Sequence, residues 1–116
     1  MIFKHLDNLI ELFRLKDWDI DLTIGNCQSE AQTMMMYNCY KADIVIDKNL
    51  NEEQQLQSLI HELVHIVMRN TQTIEEENVD EKLHPMWKRE MERETEKIAM
   101  CIYKLYTQNK DERKEE

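Results

Sequence analysis

An α+β domain is the fold class that this sequence predicts, and three observations carry the prediction. Apolar residues recur at helical spacing near the N-terminus and twice more beyond residue 50, the stretch between them alternates with a period of two, and 116 residues leave room for one modest core. Ile2, Leu6, Leu9, Ile10, Phe13 and Leu15 define a first amphipathic helix over residues 2–16, with Lys4, Asp7, Glu11 and Arg14 turned to water. At Trp18 the period changes. Trp18, Ile20, Leu22 and Ile24 alternate with Asp19, Asp21 and Thr23, and Gly25-Asn26 supplies a turn signal, which together predict a half-buried strand. Two further short strands are expected in "AQTMMMYNC" and "KADIVID", the second with Ala42, Ile44 and Ile46 on one face, giving a small three-stranded sheet.

Asn51 followed by Gln54 spells a capping box. The apolar residues Leu56, Leu59, Ile60, Leu63, Val64, Val67 and Met68 carry the helix it starts to about residue 70. Residues 71–84, "TQTIEEENVDEKLH", are polar and acidic and read as a connecting loop with at most a short helical turn, closed by Pro85. A last helix is expected from about Met86, with an inward stripe of Met91, Ile98, Ala99, Ile102, Leu105 and Tyr106. Residues 1–107 then make one domain. Residues 108–116 carry almost no apolar side chain and are expected to be a disordered, charged tail.

Charge and cysteine usage exclude several function classes. Fifteen basic residues against 24 acidic ones give a net charge of −9, which repels nucleic-acid backbones and anionic membrane surfaces. No window approaches the apolar length of a membrane span. The N-terminal segment shows no small-residue cleavage site, and Cys27, Cys39 and Cys101 are odd in number and lack Cys-x-x-Cys spacing. Buried, reduced thiols in a cytoplasmic protein are the expectation. Oligomeric state leaves no mark, although eight methionines are compatible with an adaptable apolar surface.

His61-Glu62-Leu63-Val64-His65 matches H-E-x-x-H, and it lies inside a segment that periodicity alone makes helical. Four residues climb about 6 Å and turn slightly more than once, so both imidazoles leave the same face. A tetrahedral zinc with nitrogen ligands at about 2.0–2.1 Å needs donor atoms roughly 3.3 Å apart, which two converging rings supply. Glu62, beside the first histidine, can reach a water at the open coordination position without binding the ion, and is the general-base candidate. The competing reading makes His61 and His65 backbone-bonded histidines at the core edge and Glu62 a solvated side chain. Apolar neighbours on both sides weigh against it, because a buried carboxylate without a partner is costly.

Two histidines leave a catalytic zinc site one protein ligand short. The extended H-E-x-x-H-x-x-G-x-x-H pattern is excluded by Met68 and Thr71, which stand where its glycine and third histidine would be. His5 and His84 remain, and the last helix offers carboxylates. With Met91, Ile98 and Ile102 inward, Glu92 and Glu94 border the stripe on opposite sides while Glu90 and Glu96 point toward water. Periodicity does not choose between Glu92 and Glu94.

The pentapeptide, the preceding "DWDIDLTI" and "KADIVID", and the later "ERETEKIA" together resemble the small gluzincin-type zinc metallopeptidases, including minimal, ImmA-like and phage-encoded H-E-x-x-H forms. The resemblance spans most of residues 15–105. It implies a zincin-like fold in which an N-terminal helix and a short sheet precede the H-E-x-x-H helix, and a later helix brings a glutamate ligand through a pattern resembling E-x-x-[small or Val]-x-x-[apolar]-A. Set against Glu92 to Ala99, that pattern favours Glu92, with Thr95 departing from the commoner small residue or valine. The expected assignment is therefore Zn2+ on His61, His65 and Glu92, Glu62 as general base, and a peptide or protein as substrate. The strand ending near Asp47 would form the edge on which an extended substrate is added. His84, Tyr37, Tyr40 and Tyr103 are the available oxyanion donors, and none has a signature that selects it. Trp18 and Trp87 read as packing residues. The alternative function is a non-catalytic interaction module that the metal merely staples.

Overall fold

The computed structural model describes residues 2–36 and 39–115, with side chains over 2–36, 39–69, 72 and 74–108. Helix α1 (Ile2–Leu12) leads into strands β1 (Asp19–Gly25), β2 (Ala31–Met36) and β3 (Lys41–Asp47). Helices α2 (Glu52–Val67), α3 (Arg69–Asn78) and α4 (His84–Glu115) follow, with a 3-10 turn at Glu81–Leu83 between the last two. Four helices and a three-stranded sheet make this a small zincin-like α+β fold.

The first helix stops earlier than its periodicity suggests. Arg14 takes a left-handed backbone (φ 57), Leu15 N–H donates to Ile10 O at 2.9 Å and Arg14 N–H to Glu11 O at 3.1 Å. This is the two-bond Schellman closure, built here without the usual glycine, and it turns Leu15 into the core. Phe13 and Leu15 thus stay apolar partners of the core after the helix has ended.

The sheet order is β1-β3-β2, with β3 parallel to β1 and antiparallel to β2. Ile44 in the centre has Leu22 on one side and Thr33 on the other. Ala42, Ile44 and Ile46 are buried as their alternation predicts. Within the methionine triplet, Met35 faces inward and Met34 and Met36 outward. Because β3 lies in the middle, it cannot be the edge strand that sequence suggested; the edges are β1 and β2, and β2 is the one whose residues line the cleft. A strand's lateral neighbours are set by through-space pairing, which its own alternation does not encode.

The inner face of the sheet packs on α2, whose Leu59, Ile60, Leu63 and Ile66 are fully buried. Its capping box is present as read: Asn51 Oδ1 accepts from Gln54 N–H at 2.8 Å and Gln54 Oε1 accepts from Asn51 N–H at 3.1 Å. α2 ends at Val67, where the Arg69 guanidinium donates to Ile66 O at 2.9 Å and lies 4.6 Å over the Trp18 ring. Beyond it, the segment expected to be a loop is helix α3. Its glutamates and glutamine are good helix formers despite their polarity, and Gln72 anchors it by burying itself against α4. His84 closes the far end, its Nε2 facing Glu76 O at 3.2 Å and Val79 O at 2.9 Å.

α4 starts at His84, with Pro85 in the first turn, where its missing N–H costs no helical bond. Thr95 and Ala99 are its buried centre, while Ile98 is 40% and Leu105 61% exposed, contrary to the expected stripe. At about 100° per residue, Met91, Thr95, Ala99, Ile102 and Tyr106 fall on one line. A polar residue at the middle of that line had shifted the apparent stripe round the helix. The backbone helix continues to Glu115, and the expected tail at 108–116 falls mostly on side chains outside the described residues. Cys39 and Cys101 are exposed and Cys27 half-buried, all as free thiols, so the expectation of buried cysteines is corrected. Cys27 and Cys39 lie outside the strands and long helices, where no periodicity could place them, and Cys101 lies on the outer face of α4. Among the described residues, no helix is long and apolar enough to cross a membrane.

Candidate metal centre

α2 presents His61 and His65 from one face, their ring centroids 4.9 Å apart. Opposite them α4 brings Glu92, whose Oε2 lies 3.2 Å from His61 Nε2 and whose Oε1 lies 3.0 Å from His65 Nε2. One ligand atom from each of the three falls within 4.8 Å of the others. Separations of 3.0–3.2 Å match the donor-to-donor spacing of roughly 3.3 Å round a tetrahedral ion with bonds of about 2.0–2.1 Å.

The outer nitrogens are engaged too. His61 Nδ1 is 2.6 Å from Glu96 Oε2, and His65 Nδ1 is 3.2 Å from Gln72 Oε1. A carboxylate and an amide oxygen only accept, so in a neutral ring each Nδ1 carries the proton and leaves Nε2 as the nitrogen free to bind an ion. Two ring nitrogens and a carboxylate then converge on one point, an arrangement that a bound cation satisfies. The donor set therefore fits a metal such as zinc, with its orientation held from behind.

Glu62 is 7% exposed and receives a hydrogen bond from Thr33 Oγ1 at 3.0 Å, across from β2. Burial, the largest influence, raises its carboxyl above the ordinary 4.5; the Thr33 bond and the two histidines pull it down, and Glu92 pushes it up. A cleft of 630 Å3 opens over these groups. Its walls are the β1–β2 turn at Ser29 and Glu30, the β2 residues Ala31, Thr33 and Met35, and on α2 Gln57 and Ser58. A second hollow of 340 Å3 adjoins it at Met35 and Glu92, lined by Trp87, Met91, Arg69 and Lys88 among others.

Of the residues named from sequence, His61, His65 and Glu92 lie together and Glu62 lines the same cleft. Glu94 is exposed on the opposite border of α4, away from the cluster. Glu96, expected to face water, is exposed and also reaches His61 from one turn beyond Glu92 on the same border. The spacing of four was the available signal. Thr95, a polar residue amid an apolar row, was another, whereas Gln72 carried none because its segment read as loop. His84 is occupied at the end of α3, Tyr103 packs on the core, Tyr40 stacks edge-on against Trp18, and none of the three lines the cleft. Tyr37 lies outside the described residues.

Fold and centre together define a class, the zincin-like metallopeptidase domains. Within it the chain belongs to the Peptidase M78 family, the IrrE N-terminal-like domain, whose model matches residues 15–103. No curated protein and no solved structure matches the chain.

Proposed function

We propose that this domain is a zinc-dependent peptidase in which Nε2 of His61, Nε2 of His65 and the Glu92 carboxylate hold the ion and Glu62 is the general base. The observation that carries this reading is the convergence of those three ligand atoms beside a buried carboxylate. Zinc bound there would supply a Lewis acid that acidifies water and polarises the scissile carbonyl.

The chain's own groups divide the remaining work. Thr33 Oγ1–H occupies Glu62 Oε2, which leaves the other carboxylate oxygen to take a proton from water and pass it to the leaving amine. The two outer contacts, Glu96 on His61 and Gln72 on His65, keep the rings from turning. Among the described residues β2 pairs only with β3, so its other edge offers main-chain groups to an extended substrate lying across the cleft.

The test combines metal analysis with peptide hydrolysis. Wild-type protein is expected to carry one zinc and to cleave, and Glu62→Gln to carry the zinc with hydrolysis reduced at least a hundredfold, as general-base loss implies. Equal turnover in that variant would remove Glu62 from its role. Stoichiometric zinc with no cleavage over a broad peptide library would point instead to a metal-stapled interaction module.

A further inference from the structure

We propose that the second hollow, at the Met35 end of the cleft, is the subsite that selects the substrate. It takes a large apolar side chain, such as leucine, methionine or phenylalanine, from a residue within two positions of the scissile bond. This rests on the peptidase reading above. Thr33 marks the level of Glu62 along β2, its hydroxyl 3.0 Å from the carboxylate. Met35, the next inward residue, lies about 7 Å farther along the strand, and there the hollow opens. Met35 and Glu92 line both cavities, so an extended chain lying on the free edge of β2 passes from one to the other.

The walls set the chemistry. Met35, Met91 and Trp87 are half-buried, and among the described residues Met91 and Trp87 do not join the apolar core. Trp87 is pinned at its polar atom: its Nε1–H donates to Glu75 Oε2 at 3.3 Å, which leaves the apolar ring to line the hollow. Two flexible thioethers accept more than one apolar shape, and 340 Å3 is room for an aromatic ring or a branched chain. The rim carries Lys88 and Glu76, one of each sign and both exposed, while the Arg69 guanidinium already donates to Ile66 O and lies over Trp18. The rim therefore favours neither an acidic nor a basic side chain, and apolar burial is the selecting force.

A degenerate peptide mixture, digested by the wild-type protein and read by mass spectrometry, tests the proposal. Leucine, methionine and phenylalanine are expected to dominate at one position within two residues of the cut. Met91→Trp, which fills the hollow, should shift that position to alanine, glycine and serine, changing the large-to-small ratio of kcat/KM roughly tenfold or more, with zinc content unchanged. Trp87→Ala, which removes a wall, should weaken the same preference. A second readout needs no cleavage. In Glu62→Gln protein with zinc added, the 15N-indole signal of Trp87 should move on titration with acetyl-Gly-Leu-Gly-amide and stay put with acetyl-Gly-Asp-Gly-amide. The signal of buried Trp18 should stay put with both.

Cleavage with no side-chain preference near the cut, or with a preference that Met91→Trp and Trp87→Ala both leave intact, would overturn the subsite and leave the peptidase standing. So would a preference for an acidic side chain that Lys88→Glu abolishes. Should Met91→Trp fail to fold, Trp87→Ala and the indole titration decide. No cleavage by wild type together with a leucine-dependent Trp87 shift would defeat the peptidase reading and keep the hollow as a site for apolar peptide side chains. No cleavage and no shift would defeat both.

Discussion

Glu62 is the residue whose environment is most at odds with its chemistry. Its carboxyl is held above 4.5 chiefly by burial, so in the folded, metal-free chain it keeps a proton that the unfolded chain has already released. The sign follows from linkage: the stability this group lends is complete below 4.5 and is lost as pH rises through its raised folded value. Urea unfolding in chelator, repeated across pH, should therefore show Glu62→Gln gaining on wild type through that window and holding a constant lead above it. Parallel curves would mean that burial does not load this carboxylate. Thr33, Glu96, Gln72 and Thr95 complete the residue picture. Thr33, Glu96 and Gln72 each touch a group that sequence had identified and Thr95 touches Gln72, and only Glu96 and Thr95 had left a trace in spacing or polarity. Thr95 also explains its departure from the small residue or valine of the family pattern, because its hydroxyl is used.

The helices divide into those that announce their ends and those that do not. α2 begins at a reciprocal Asn51–Gln54 box legible in the chain, and Asn51→Ala should cost about 1 kcal/mol of unfolding free energy in denaturant titrations. An unchanged midpoint would make the box ornamental. α1 ends on Arg14 in a left-handed conformation, which for a residue with a Cβ costs roughly 1–2 kcal/mol. Gly at that position removes the clash while adding some freedom to the unfolded chain, so Arg14→Gly should raise the melting temperature by a few degrees. A drop would show that the arginine side chain contributes more than its backbone costs. No glycine marked this stop, which is why periodicity ran on past it. α3 was missed for a related reason: a polar helix anchored at one buried residue shows no stripe.

At the scale of the molecule, the centre bridges α2 and α4, two elements that are separated in the chain by α3 and a turn. An ion bound across them stabilises the folded state by mass action. Free zinc at a hundred times its dissociation constant should add about 2.7 kcal/mol to unfolding free energy. Calorimetry with zinc and with chelator should show that shift in wild type and Glu62→Gln and not in His61→Ala. A shift that survives loss of His61 would place the ion elsewhere.

From the residues alone came the three-strand, helix-bearing composition of the domain, the start of α2, and the two histidines that share a face. All of these are repeats or intervals of a few residues, set by the geometry of one helix or one strand. The tertiary structure decided that β2 is the edge strand beside the cleft, that Glu92 and Glu96 approach while Glu94 does not, and that a polar helix supplies a contact to His65. These depend on which faces meet through space, and that is governed by the packing of the whole core around Thr95 and Ala99 rather than by any local period.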